Sequence, residues 1–199
     1  TFTTTELNDW IYHYAAKGLL NALYLPENPA IPVFENSYDS QDRVKSQTNA
    51  RGHTIEFKIA GHRSAIYYQS GNRHVKYFNE RGVWTRHING DGEEIVKVLD
   101  GANRPIQVIR PEGNSTAFTY DQSSGNVLAV AEKPKTGSLM ADVVTQVEWD
   151  NQWNKISKIT LPGGQETAFE YDAITGLGLK VTRAAIGGIT SETHTTYNS

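Results

Sequence analysis

Thr116-Ala117-Phe118-Thr119-Tyr120-Asp121, followed by Gly125-Asn126, and Thr167-Ala168-Phe169-Glu170-Tyr171-Asp172, followed by Gly176, are two copies of one phrase. In each, side chains alternate in character and the stretch ends on an aromatic residue, an aspartate and a glycine. Alternation with period two sends successive side chains to opposite faces of a strand. An aspartate just past a strand can bond the backbone two residues on and start a turn. A glycine three or four residues later supplies the positive φ of a tight reversal. The phrase therefore predicts a strand that runs into a hairpin turn.

Weaker copies extend the phrase along the chain. An aromatic or apolar residue followed by Asp, or by a stand-in, recurs as Tyr14-Ala15, Tyr38-Asp39, Ile59-Ala60, Phe78-Asn79, Leu99-Asp100, Tyr120-Asp121, Trp149-Asp150 and Tyr171-Asp172. The spacings are 24, 21, 19, 21, 21, 29 and 22 residues, so five of the seven fall between 19 and 22. That regularity identifies a repeat rather than a scatter of turns. About ten residues after each pair comes a second turn, as at Ala50-Arg51-Gly52, Asn89-Gly90-Asp91-Gly92, Arg110-Pro111-Glu112-Gly113 and Leu161-Pro162-Gly163-Gly164. Each unit reads as one β-hairpin with strands of roughly seven residues. In residues 54–59, Ile55, Phe57 and Ile59 share one face, and Thr54, Glu56 and Lys58 the other. The best helical candidate, Tyr14 to Tyr24, falls in register with the repeat and reads as strand.

The expected fold is all-β, with tandem hairpins stacked edge to edge into a long, curled antiparallel sheet. Residues 1–199 are expected to form a single repeat segment of a larger protein, both ends reading as cuts inside a longer chain. A lone hairpin is marginal in water, so stability has to come from neighbouring units. Eight units give about 15 strands, a ribbon roughly 70 Å long and roughly 24 Å high, with cumulative twist that should curl it. Three departures from the repeat carry expectations. Ala15 and Ala60 replace the aspartate, so the turn cap there must come from elsewhere. Asp42 and Asn103 replace the turn glycine, which both residue types tolerate. Lys76 and Lys97 lie where Phe118 and Phe169 lie in their units, so either those units shift by a residue or the face is partly polar. The unit between Asp121 and Asp150 carries about eight extra residues, placing a long loop at 133–142.

Composition narrows the function. The 199 residues include 19 basic and 22 acidic side chains, a net charge of −3, and no Lys/Arg run. That balance excludes a nucleic-acid binder that works by phosphate neutralisation. There is no cysteine, hence no disulfide framework and no thiolate chemistry. No apolar run reaches membrane-spanning length. Apolar residues are 38% of the chain while 20 residues are aromatic, which suits a thin sheet better than a globular core.

The phrase resembles the YD-repeat, or Rhs-repeat, family: Tyr-Asp, then Gly-Arg or Gly-Asn, a β run, a Gly turn, and Thr-x-Tyr-x-Tyr-Asp. The resemblance covers nearly all of residues 10–183. It implies a β-ribbon wound into a hollow shell. In bacterial polymorphic toxins and insecticidal toxin complexes such a shell encloses a C-terminal toxic domain, and in teneurins it is a cell-surface scaffold. The expected role is a non-catalytic structural segment that encloses and protects a toxin domain in a large secreted bacterial toxin, at the cell surface or delivered by a secretion system. Its expected partners are adjoining repeats of the same parent chain and an enclosed C-terminal toxin domain. No cofactor, metal or catalytic residue is expected. The structural motif is Tyr14, Tyr38, Asp39, Phe78, Asn79, Leu99, Asp100, Tyr120, Asp121, Trp149, Asp150, Tyr171 and Asp172.

Other readings attach to particular residues. Trp10, Trp84, Trp149 and Trp153 could stack on sugars, which makes an adhesive scaffold that binds carbohydrate or a cell-surface receptor the alternative function. Against it, Trp149 replaces the repeat tyrosine and would pack between hairpins. His74 and His87 could meet across a hairpin and hold a metal; their plainer reading is as polar strand residues. Asp91, Glu93 and Glu94 resemble an acid–base pair but flank a turn, where charge is ordinary. Asn114-Ser115-Thr116 matches a glycosylation sequon but opens a repeat strand. Unpaired edge strands predict end-to-end self-association.

Overall fold

The computed structural model describes residues 9–184 and 190–197. Among them are 17 strands, a single three-residue 3-10 turn and no α-helix. The chain divides into two compact units, Thr1–Glu94 and Ile95–Ser199. The first holds β1 (Ile11–Tyr14), β2 (Leu20–Leu25), β3 (Asn28–Tyr38), β4 (Val44–Asn49), β5 (Thr54–Ala60), β6 (Arg63–Tyr68), β7 (Arg73–Phe78) and β8 (Trp84–Ile88). The second holds β9 (Glu94–Leu99), which begins at the boundary residue, β10 (Pro105–Ile109), β11 (Ser115–Tyr120), β12 (Val127–Lys133), β13 (Val143–Asp150), β14 (Lys155–Thr160), β15 (Glu166–Tyr171), β16 (Gly178–Ala184) and β17 (Thr190–His194).

Within each unit every strand pairs antiparallel with its neighbour in sequence, from β1·β2 to β7·β8 and from β9·β10 to β16·β17. The all-β expectation of tandem hairpins laid edge to edge holds in both. The Tyr14–Tyr24 stretch is strand, interrupted by the 3-10 turn at Ala16–Gly18.

A one-residue slip recurs where each repeat strand meets its hairpin partner. Tyr120 pairs with Val127 while Thr119 pairs with Ala129, which leaves Leu128 as the extra residue. The same slip precedes Tyr14, Tyr38, Phe78, Leu99, Trp149 and Tyr171, so seven hairpins share one bulge at one position. A bulge of this kind raises local twist. Its constancy also settles Lys76 and Lys97. Their units keep the common register, so these lysines stand where Phe118 and Phe169 stand, and the face is partly polar.

β5·β6 lacks the slip, and the reason is its turn. Ala60 pairs directly with Arg63, leaving a two-residue loop of Gly61-His62 with Gly61 at φ 54°. Ala15 likewise has no side-chain cap, and Lys17 and Gly18 there take φ 66° and 74° in succession. Positive φ at the centre is what two-residue hairpin loops need. The expectation that another group would cap these turns is corrected: at Ala60 the loop shortens to two residues, while at Ala15 the reversal keeps its length, closed by Ala15 N–H to Leu19 O at 2.7 Å, and takes positive φ at Lys17 as well as Gly18. Asp42 and Asn103 do take positive φ, 60° and 64°.

Within each unit, packing is that of a sheet without a second layer. Ala22, Ala65 and Val75 are the buried apolar residues among those described, and no large side chain is fully buried. Side-chain packing therefore runs along the sheet, from strand to strand, rather than between layers. The 133–142 loop leaves β12 and enters β13 through the ion pair Lys133–Asp142, 3.1 Å, and leaves Leu139 and Met140 exposed.

Candidate functional site

The structure places the aromatic or apolar residue of each repeat pair at the end of an odd-numbered strand: Tyr14, Tyr38, Phe78, Leu99, Tyr120 and Tyr171 are terminal, and Ile59 and Trp149 are the last but one. The residue after it begins the reversal. Together with one residue from the unit before, these two form a clasp that is built the same way at several points along the sheet.

The turn half of the clasp comes from the acidic or amide side chain. Asp39 Oδ1 accepts the backbone N–H of Gln41 (2.9 Å) and of Arg43 (3.0 Å). Asp100 does the same for Ala102 and Arg104, both at 2.9 Å. Asn79 does it for Arg81 and Val83, both at 3.0 Å. Where the loop is one residue longer the bonds fall on the second and third residues: Ser123 and Ser124 for Asp121, Gln152 and Trp153 for Asp150, Ile174 and Thr175 for Asp172. These donors favour the charged carboxylate, as does a paired arginine. The hydrogen bond from the Arg43 side chain is the first cause holding Asp39 below its ordinary value, and backbone N–H donation from Arg104 is the first for Asp100. The Ser123 hydroxyl leads for Asp121 and the Thr175 N–H for Asp172.

The aromatic half reaches back to the preceding strand. Tyr38 donates its hydroxyl to Leu20 O (2.5 Å), Tyr120 to Pro105 O (2.9 Å) and Tyr171 to Ile156 O (2.7 Å). Trp149 makes the same bond with its indole N–H, to Val127 O at 2.8 Å. Each acceptor is the first or second residue of the even strand alongside, a carbonyl near the end of its ladder that would otherwise face solvent. Burial pushes the Tyr120 and Tyr171 phenols up, which keeps the hydroxyl a donor.

A cation completes two of the clasps. The register that sets Gln107 opposite Ala117 carries Arg104 opposite Tyr120. The guanidinium lies 4.5 Å from the centre of that ring while pairing with Asp100 at 2.7 Å. Lys155 stands 5.3 Å over Tyr171 and donates to Gly176 O at 2.7 Å. Such contacts add attraction that area alone does not supply. Turns of successive units are also laced directly. Lys17 pairs with Asp42 at 2.7 Å, Gln152 donates to Ala173 O at 2.7 Å, and Asn126 donates to Asn154.

Reading the sequence alone missed one clasp. Residues 195–199 look like mid-strand, yet Tyr197 lies just past the end of β17 and donates to Gly178 O at 3.0 Å. The signal was present as Tyr197-Asn198, 26 residues after Tyr171, but the longer spacing hid it.

The other candidates have structural employment. Glu94 pairs with Arg86 at 2.6 Å and Glu93 accepts from the Asn89 side chain at 2.8 Å. Ser115 and Thr116 of the sequon are buried, and Thr116 is held between Arg110 and Glu132. His74 and His87 do meet across β7·β8, with Nδ1 to Nε2 at 3.2 Å and ring centres 5.4 Å apart. Those two distances put the ring nitrogens head-on, which is the geometry of an N–H···N hydrogen bond. Among the described residues no group of three or more His, Cys, Asp or Glu could hold a metal. Of the four tryptophans only Trp10, 54% exposed, is freely presented. Trp153 covers Gly176, where an added Cβ would lie 2.7 Å from the indole.

No protein-family profile and no curated protein sequence matches the chain. Solved structures do. The crystal structure of TcdB2-TccC3 without its hypervariable C-terminal region superposes with a TM-score of 0.70 at 12% identity, over 92% of this chain and 11% of that one. A second TcdB2-TccC3 crystal structure gives 0.70 at 15% identity, over 90% and 11%. The Tc holotoxin pore of Photorhabdus luminescens, with a substitution in TccC3, gives 0.60 at 14% identity, over 81% and 9%. The chain thus spans about a tenth of the length of these chains and shares their fold.

Proposed function

The fold of this chain is the antiparallel β-ribbon found in the TcdB2-TccC3 toxin-complex chains, and from that premise we propose that it is a non-catalytic wall segment of a YD/Rhs-type shell that encloses and protects a toxin domain in a large secreted bacterial toxin. One observation carries the reading: a sheet with no second layer repeats the same clasp along its length, and each clasp ties a strand to the one before. A wall that must extend without a core needs this construction, because every unit draws its stability from its neighbours. The partly polar face that includes Lys76 and Lys97 suits a wall that lines a wet interior, where a closed core would reject the charge. Curling of the ribbon, the role of residues 1–199 as one segment of a longer shell and an extracellular destination belong to the same proposal. No helix among the described residues is long and apolar enough to cross a membrane.

The carboxylates fit this role better than catalysis. Asp39, Asp100, Asp121 and Asp172 spend their lone pairs on turn N–H groups and are held charged, the opposite of a proton donor tuned toward neutral pH. The carbohydrate-binding alternative has a hollow lined by Trp149, Asp121, Asp150, Asn126 and Asn154, but there Trp149 has committed its indole N–H to Val127.

Protease accessibility tests the reading. Deleting residues 95–184 from the parent protein is expected to turn a protease-resistant enclosed domain into one that is cut rapidly. Equal resistance with and without the segment would contradict enclosure by this wall.

A further inference from the structure

β7 and β8 pair so that Lys76 stands opposite His87 and Val75 opposite Ile88. Strand alternation puts His74 on the Lys76 face of β7, so the two histidines meet diagonally across the hairpin. His74 Nδ1 and His87 Nε2 are 3.2 Å apart, and the ring centres are 5.4 Å apart. The second distance is close to the longest that the first allows. Both nitrogens therefore lie nearly on the line between the centres, with their lone-pair axes aimed at each other. Both rings are half-buried. Tyr68 sets its ring edge-on to His74, 5.5 Å between centres, and Trp84 does the same to His87 at 6.4 Å. The four rings form a row across β6, β7 and β8. The clasps of the repeat pairs leave both histidines out.

We propose that His74 Nδ1 and His87 Nε2 are the two ligands of a linear site for a soft monovalent ion of the Cu(I) class, which takes the place of the proton in their hydrogen bond. Direction, ligand number and charge select that ion. Nitrogens aimed at each other suit an ion that sits on the line between them. A metal–imidazole bond is about 2 Å long, so the nitrogens need to part only to about 4 Å. A tetrahedral Zn²⁺ takes at least three protein ligands, and among the described residues no group of three or more His, Cys, Asp or Glu could supply them. Lys76, opposite His87 on the same face, repels any bound cation, and a single charge meets less of that repulsion than a double one. The proton balance closes within the pair. The bridging hydrogen moves to the other nitrogen of its own ring, so both imidazoles stay neutral and both lone pairs face the ion. Sulfur ligands compete little for such an ion here, because the chain has no cysteine and one methionine, Met140.

The probe is Ag⁺, a redox-inert ion with the same preference for two ligands in line, titrated calorimetrically into the full chain in chloride-free buffer at neutral pH. One ion per chain is expected, with shifts of the His74 and His87 imidazole nitrogens in ¹⁵N spectra and a rise in melting temperature, since the ion binds the folded chain. His74→Gln and His87→Gln should each weaken binding at least about ten-fold, the smallest loss seen even for groups that only support a ligand. Met140→Leu should leave it unchanged, and excess Zn²⁺ should not displace the ion. X-ray absorption of the chain loaded with Cu(I) without oxygen should show two nitrogen neighbours. Unchanged affinity in either glutamine variant, loss of binding in Met140→Leu, displacement by Zn²⁺, or three or more neighbours in the absorption spectrum would overturn the proposal. The absorption spectrum needs no substitution, so it decides the matter even where a variant fails to fold.

Discussion

The hydroxyl of Tyr120 donates to the carbonyl of Pro105, 2.9 Å away and fifteen residues back in the chain. Arg104, the neighbour of that carbonyl, lies over the same ring and pairs with Asp100, the first residue of the previous turn. One aromatic residue thus closes its own strand, caps the end of the one before and seats a cation from the unit behind it. The sheet is stabilised at its strand ends because it has no second layer to stabilise it elsewhere.

Removing one hydroxyl isolates the clasp. Tyr120→Phe and Tyr171→Phe keep the ring and lose the bond, and each should cost about 1 kcal/mol, the net worth of a neutral hydrogen bond. Denaturant unfolding measures it. Tyr14→Phe is the control, and no loss is expected there.

The turn cap sets an order of stabilities. Asp100→Asn keeps an oxygen that can cap the turn, as Asn79 does in the equivalent place, but loses the ion pair to Arg104. Asp100→Ala loses both. Melting temperatures should fall in the order parent, Asn, Ala; an alanine variant as stable as the parent would remove the cap from the account.

Acid should loosen the turns. Asp39, Asp100 and Asp172 titrate below the ordinary aspartate value of 3.8 in the folded chain. A depressed folded value contributes stability above the unfolded value, and that stability is lost as pH falls through the folded one. The melting temperature should therefore drop steeply below about pH 4, and less steeply once these residues are replaced by asparagine.

A second pH effect comes from His87. Burial first, then Lys76 and His74, lower it from 6.5. The folded chain therefore takes up this proton less readily than the unfolded chain. Stability should be full above pH 6.5 and decline below it. His87→Gln should flatten the melting temperature between pH 7 and pH 5 while leaving the acid limb unchanged.

Two glycines separate strain from packing. Gly82 and Gly176 both have positive φ, 76° and 71°, but an added Cβ meets nothing at Gly82 and meets Trp153 at 2.7 Å at Gly176. Gly82→Ala should cost about 1–2 kcal/mol from the backbone alone. Gly176→Ala should cost more, and Trp153→Ala should bring the two back toward each other in a double-mutant cycle.

The strand ends were legible in the sequence because a chemically distinctive pair marks them: Tyr120-Asp121 and Tyr171-Asp172 name the last strand residue and the first turn residue together. Asp42 and Asn103 were legible as glycine substitutes for the same local reason. The hydroxyl bonds of the clasp were not. Their acceptors are backbone carbonyls of Leu20, Pro105 and Ile156, which carry no side-chain signature. The bulge opposite each aromatic was hidden because skipping Leu128 or Lys45 leaves the repeat length unchanged. Ala60 misled, since a missing cap looks like a vacancy to be filled while the loop can shorten to two residues instead. Trp149 and Trp153 looked like presented rings only because the sequence does not show Val127 O or Gly176 beside them.

Successive repeats of about twenty-one residues lie side by side, turn against turn. The chain has no native cysteine, so a disulfide can report it directly. In the double variant Asn126→Cys/Asn154→Cys, the new thiols replace side chains that bond each other from neighbouring turns. Mild oxidation followed by peptide mass mapping should find the 126–154 cross-link nearly complete. The pair Val127→Cys/Asn154→Cys, one residue out of register, should stay largely reduced. Failure of the first pair to close, or equal closure of both, would contradict the stacked-hairpin account.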